Sequence, residues 1–275
     1  IYTLSLHDAL PILGLARVLI DASTLFIGLA QLGTSSSIVR YFPYFNSTSG
    51  AVSASSPVNG QRSDPYHGFF FWTVLIPLLG FCLFAVIYMA CKVPISAYFA
   101  EKSQLFVDYY YMVLPIAFFM LYQTIFETDS MVLLRVVFPR AVVREFIVRV
   151  MLLVLYLLYA FRVLSLDGFV AGLCVMYAIA AFLNAAYLIS SGQVTFRPDF
   201  LFPDRELRRS YYRYTGFLVV SAAVTVFAPL LSSFMVSAKM GLSYNGIYTI
   251  AFNMAVMVSI PSRSMSAVPI LPPFM

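Results

Sequence analysis

Charge is what this sequence has least of. Asp, Glu, Lys and Arg together make up 11% of its residues, against roughly a quarter in soluble domains. A water-soluble chain of 275 residues has too much surface to cover with so few charges. Histidine is scarcer still, limited to His7 and His67. The three cysteines, Cys82, Cys91 and Cys174, have no CxxC spacing and no histidine near them in sequence. They read as small packing residues rather than metal ligands or disulfide partners. HExxH, GxSxG and Walker A patterns are missing, and with them the usual signatures of metal, nucleophilic and nucleotide chemistry. Acidic residues are few and lie mostly in loops; Glu127 and Asp129 stand together, and read as a solvated helix end rather than a paired-carboxylate catalyst. No cofactor or metal is expected, and an enzyme is the disfavoured class.

Apolar residues are abundant instead, at 61% of the chain with a mean hydropathy of +0.87. They come in blocks approaching the ~20 helical residues that a bilayer requires. Seven qualify: Leu15–Gly33, Phe69–Cys91, Tyr109–Phe126, Phe146–Phe161, Gly168–Ser190, Tyr214–Val236 and Tyr244–Ser262. Five hold no charged residue; the first carries Arg17 and Asp21, the fourth Arg149. None alternates with period two, which argues against a membrane β-barrel. Helices satisfy their own backbone groups in lipid, so the expected fold is all-α, a polytopic transmembrane bundle of about seven spans.

The net charge of +5 is a topology signal, not a nucleic-acid one. Residues 34–68, 127–145 and 191–213 hold ten Lys or Arg, while the intervening loops hold four, Lys92, Lys102, Arg162 and Lys239. Positive loops stay in the cytoplasm. The first span then runs inward from an external start. No basic n-region or initiator Met precedes it, so one further span upstream is expected. Residues 1–12 (IYTLSLHDALPI) resemble a translated sequencing adapter, so 1–13 are set apart and the genuine chain is expected to begin near Gly14. The stretch Pro269–Met275 follows a span without a terminating domain, as though the chain were cut there too.

Between the blocks, Asn46–Asp64 is rich in Ser, Gly, Ala and Pro and reads as a solvated loop. Phe196–Phe200 reads as a turn, and Asp204 as the N-cap of an interfacial helix entering the sixth span. The short connections 162–167 and 237–243 predict antiparallel neighbours on either side. Pro77, Pro115 and Pro229 lie inside blocks, either as tolerated membrane prolines or as hinges. Gly168 with Gly172, and Ala181 with Ala185, put small residues on one face of the fifth span, suited to close packing.

Charges at membrane depth are the functional candidates. Arg17 and Asp21, spaced i,i+4, share a helical face. They form either a self-neutralising pair with Arg17 snorkelling outward or a cavity-facing arginine for an anionic headgroup. Arg149 sits at the cytoplasmic start of the fourth span, as a snorkelling residue or a cavity one. Arg263 ends the seventh span, as a topology marker or part of the same cavity. Arginine suits diphosphates because its planar fork donates two parallel hydrogen bonds.

The stretches Leu32–Phe45 (LGTSSSIVRYFPYF), Tyr98–Pro115 (YFAEKSQLFVDYYYMVLP), Phe196–Phe200 (FRPDF), Gly246–Phe252 (GIYTIAF) and Ile260–Arg263 (IPSR) resemble, in order and spacing, bacterial oligosaccharide flippases. These are polysaccharide-biosynthesis members of the multidrug/oligosaccharidyl-lipid/polysaccharide exporter superfamily. The resemblance runs from about Gly14 to Val268, although residues 34–68 look longer than the family's first cytoplasmic loop. It implies a bundle of twelve to fourteen helices in two lobes, in which these spans are helices two to eight. Residues 14–213 would then hold most of the N-terminal lobe and 214–275 the start of the C-terminal one. It further implies an inner-membrane transporter without a catalytic step, whose basic cavity, lined by Arg17 and Arg263, takes a lipid-diphosphate-linked oligosaccharide. Membrane lipids, and polysaccharide polymerases or glycosyltransferases, are the expected partners. The alternatives are a drug or metabolite exporter of the same superfamily, needing a carboxylate deep in a span, and a membrane-embedded glycan ligase or acyltransferase, needing a large external loop.

Overall fold

A computed structural model describes residues 6–40, 42, 69–99, 101, 103–133, 137–190 and 205–266; among these, the side chains of 6–9 and of several positions in 205–229 and 257–266 are not described. The described residues are helical, with no strand among them. The expected turn at Phe196–Phe200, the cap at Asp204, the loop Asn46–Asp64 and the end Pro269–Met275 lie outside them.

Helix α1 spans Leu6–Ala30. It begins upstream of the expected block and takes in Leu6–Leu13 from the adapter-like segment. It ends where Leu32 and Gly33 turn left-handed, with φ of 49° and 68°, a conformation glycine adopts without steric cost. A short helix over 34–40 follows. Helix α2, Phe69–Ala90, has no charged residue. Helices α3 (Lys92–Phe99) and α4 (Gln104–Asp108) and a 3₁₀ turn at Tyr110–Met112 lead into α5, Val113–Val132. An eleven-residue π-helical stretch, Val137–Ile147, continues directly into α6, Val148–Ala160. Helix α7 is Leu166–Ser190, α8 is Arg205–Lys239 and α9 is Leu242–Ser266.

Four segments are long and apolar enough to cross a membrane: Leu10–Ala30, Phe70–Ala90, Tyr110–Val132 and Leu166–Ser190. They coincide with the first, second, third and fifth expected blocks. The fourth block is shared between the π-helical stretch and α6 and holds Arg149, while Arg140, Arg144 and Glu145 precede it in the π-helical stretch. The sixth and seventh fall within α8 and α9. Large apolar side chains remain exposed on several helices, among them Leu79, Val86, Leu153, Phe161, Phe182 and Phe217. A protein facing water rarely leaves so extensive an apolar surface uncovered, and these faces fit lipid as the surrounding solvent.

Helix α1 is the hub. It packs most extensively on α9 and also touches α2, α5 and α8, while α5 packs against α7, and α7 against α6. The α6–α7 and α8–α9 pairings agree with the short connections between them. One apolar core joins Leu15, Leu19, Tyr110, Ile116, Phe169, Leu173 and Met176; a second joins Phe26, Ile38, Phe70, Leu121 and Ile125 around α1, α2 and α5.

Polar groups tie the helices together at defined points. Tyr88 on α2 and Tyr110 stack with centroids 4.2 Å apart, and each hydroxyl donates to the other's carbonyl oxygen, at 3.2 and 2.6 Å. The Tyr122 hydroxyl donates to Val74 O at 3.2 Å. That carbonyl adjoins the Thr73 carbonyl, the one left without its helical donor because Pro77 has no N–H. Pro115 lies in the first turn of α5, a position that needs no donor, so a kink is not required there. On α7, a Cβ on Gly172 would meet Leu155 of α6, in keeping with the predicted small-residue face. Gly168 lies beside Leu164 and Ser165, and Ala181 is buried.

Candidate functional site

Arg17 and Asp21 do share a face of α1. Arg17 Nε donates to Asp21 Oδ2 at 2.9 Å. The two are unequally covered: the Asp21 side chain is 5% exposed and that of Arg17 20%. The i,i+4 spacing creates the pair, and α8 and α9 bury it. Ser233 on α8 lies within hydrogen-bonding reach of Asp21. Its hydroxyl also lies 3.2 Å from Asn245 Oδ1 on α9. Asn245 Nδ2 donates to Gly14 O of α1 at 3.4 Å, and the Thr249 hydroxyl donates to Asn245 O at 2.7 Å. The Arg17 guanidinium lies over the Phe252 ring, 4.7 Å from its centroid, a cation–π arrangement.

Glycines bring the backbones close enough for these contacts. A Cβ on Gly14 would strike the carbonyl oxygen of Leu242, and one on Gly246 that of Leu10. The crossing of α1 and α9 is therefore glycine on both sides. Among the described residues only Nε of Arg17 has a hydrogen-bond partner. Its outer two nitrogens remain available as the planar fork that matches phosphate or carboxylate oxygens.

The other two candidates stand apart. Arg149 is exposed and pairs with Glu145 of its own helical run at 2.5 Å. Such exposed pairs contribute little to stability. Arg263 lies on α9, eleven residues beyond Phe252, about 16 Å along the axis; its side chain is outside the described residues. Sequence reasoning passed over Ser233, Asn245 and Thr249, which are common residue types without a motif. The available signal was the pair of asparagines, Asn245 and Asn253, within an uncharged apolar block.

The reading of Glu127 and Asp129 as a solvated helix end needs correction. Glu127 accepts from Arg144 Nη1, 3.2 Å from both carboxylate oxygens. Asp129, about 200° further round the helix, is 1% exposed. Its Oδ2 lies 3.1 Å from Thr73 Oγ1 on α2, and its Oδ1 has no hydrogen-bond partner. Packing of α2 onto the last turn of α5 removes it from water. A third buried polar pair, Asn184 and Gln123, joins α7 to α5, with Asn184 Nδ2 donating to Gln123 O at 3.4 Å.

At the other end of α5, the Tyr109 hydroxyl donates to an Asp167 carboxylate oxygen. Shielding from water, that bond and the Asp167 and Asp108 charges push the Tyr109 phenol up to about 12.

Fold and site together define an all-helical protein fitted to a membrane, with a buried ion pair where its first described helix meets its last two. No protein family, curated protein or solved structure matches the chain.

Proposed function

We propose that this chain forms part of a flippase that moves a lipid-linked oligosaccharide across the bacterial inner membrane by alternating access. The observation that carries the reading is the Arg17 guanidinium, held between α1 and α9 with its outer nitrogens unengaged among the described residues. In a membrane a charged group at this depth costs several kcal/mol unless it has a task or a partner. Asp21 offsets the charge, and the open fork suits a diphosphate. A sugar headgroup has many hydroxyls, each of which costs a few kcal/mol when stripped of water without a partner. Ser233, Asn245 and Thr249 show that polar side chains gather at the same junction. In a two-lobed transporter the contact of α1 with α8 and α9 joins the lobes, and rocking there exposes the headgroup to alternate sides. On this reading the chain has about seven spans, α6, α8 and α9 completing the set, and residues 34–68 face the cytoplasm.

The test is flipping of a fluorescent lipid-diphosphate sugar in vesicles that contain the intact protein. Wild type should accelerate flipping, and Arg17→Ala should slow it at equal insertion. No acceleration by wild type removes the transport reading, and equal rates in the two remove Arg17 from the site. A second reading, an ion-coupled drug or metabolite exporter, is favoured by one observation: Asp129 is a carboxyl buried within a span-length helix with no cation beside it among the described residues.

A further inference from the structure

Asp129 presents a hydrogen-counting problem. Thr73 Oγ1 lies 2.9 Å from Phe70 O and 3.1 Å from Asp129 Oδ2. The first is an ordinary O–H···O distance and the second lies just beyond the long end of that range. The Thr73 hydroxyl owns one hydrogen and the Phe70 carbonyl owns none. If Asp129 were ionised, the Thr73 hydroxyl would have one hydrogen for two acceptors, and one of the two oxygen–oxygen contacts would have no hydrogen between its atoms. A hydrogen on Asp129 Oδ2 resolves this: Asp129 donates to Thr73, and Thr73 donates to Phe70 O.

Three further observations agree with a neutral carboxyl. The group is 1% exposed, and no Lys, Arg or His pairs with it among the described residues. The nearest charged residue on its own helix, Glu127, is turned away toward Arg144. Asp21 on α1 is paired with Arg17, and Asp167 on α7 with Tyr109; α2 has no charged residue to offer. Asp129 also occupies the last turn of α5, where the partial negative charge of the helix end opposes an anion. A buried carboxylate without a counter-charge is costly, and it neutralises instead.

We propose that Asp129 is a proton-binding site whose bound proton fastens α5 to α2, and that losing the proton loosens this contact. The proton sits on Oδ2 and leaves to water as the helices part, so that the carboxylate is formed only when it can be solvated. Oδ1, which has no partner, is the oxygen free to take up a water as the contact opens. The site is independent of the cargo: it stands or falls whether or not the protein moves a sugar.

Infrared difference spectroscopy on the intact protein in vesicles tests it, with hydroxide and hydronium as the probes. At neutral pH, wild type minus Asp129→Asn should show the carbonyl stretch of a neutral carboxylic acid, lost in the variant. Thr73→Val should keep that band but shift it, since its hydrogen-bond partner is gone. Raising the pH should abolish the wild-type band and, in the same pH interval, speed amide hydrogen exchange in α2 and α5 beyond its intrinsic pH dependence. In Asp129→Asn, which keeps the neutral form at every pH, that extra acceleration should vanish. Loss of carboxylate bands rather than an acid band in Asp129→Asn overturns the bound proton. Equal pH-dependent exchange in wild type and variant overturns the latch. Should Asp129→Asn fail to fold, an unshifted wild-type acid band in Thr73→Val counts against the site.

Discussion

The residues of the α1 junction are unequal in what their loss should cost. Removing Asp21 leaves the Arg17 charge largely buried without its acceptor. Breaking such a pair from one side costs on the order of 3 kcal/mol, so Asp21→Ala should lower the thermal midpoint in detergent by several degrees. Arg149→Ala removes an exposed pair with Glu145 and should change stability by about 0.5 kcal/mol or less. The same melting series checks both, and equal losses would contradict the difference in burial. The Arg17–Asp21 contact was readable in the sequence because both partners lie on one helix and their spacing sets their geometry. Ser233 and Asn245 were not, because they reach the pair from more than 200 positions away through packing of α8 and α9. Asp129 shows the limit more sharply. Its position near a helix end suggested solvation, but burial is decided by what covers a residue, and the cover is α2.

At the scale of helices, the close crossing of α1 and α9 makes a distinct prediction. Gly246→Ala puts a methyl group against the Leu10 carbonyl, a backbone atom that cannot swing aside. The helices must separate, at a cost of about 1–3 kcal/mol. Gly216→Ala on α8 has nothing among the described residues within 4 Å of the new methyl and should gain about 0.5–1 kcal/mol from lower backbone entropy in the unfolded chain. Spin labels on α1 and α9 should report a longer separation in the first variant and an unchanged one in the second. A second prediction concerns the link between α7 and the start of α5. The Tyr109 phenol is raised to about 12, so its neutral, donating form is favoured in the folded protein. The contribution is complete below the ordinary tyrosine value near 10 and fades as pH rises through the folded value. Asp167→Asn removes one negative charge beside it and should move the Tyr109 phenolate absorbance step to lower pH. Helix positions followed from apolar block length, which is why four blocks and four span-length helices coincide. The helix covering the fourth block is less legible, since its first half carries three charged residues, Arg140, Arg144 and Glu145, and winds as a π-helix around Pro139. Neither feature announces itself in a count of apolar residues.

For the molecule as a whole, orientation is the property with the widest consequences, because it decides which side of the membrane each site serves. On the proposed reading, the uneven distribution of Lys and Arg would put residues 34–68 in the cytoplasm. If α1 runs inward from the outer surface, Gly14 and Gly246 close the outer end of the α1–α9 contact. Asp129, at the opposite end of α5 from Tyr109, then lies toward the cytoplasm, where a released proton would enter the cell rather than leave it. Arg17 would sit below the closed outer end and, if the proposed function holds, would face a headgroup arriving from the cytoplasm. These placements depend on a single sign, which labelling can fix. A Ser55→Cys variant in which Cys82, Cys91 and Cys174 are replaced by alanine should react with a membrane-impermeant maleimide only after the cells are opened. Arg162→Cys, in the short turn between α6 and α7, should react on intact cells in the same background. Reversal of both results would invert the chain and hand the Asp129 proton to the outer side. Reaction of both positions from one side would mean an odd number of crossings is missing or added between them, and would put the span assignment of α6 at fault rather than the orientation.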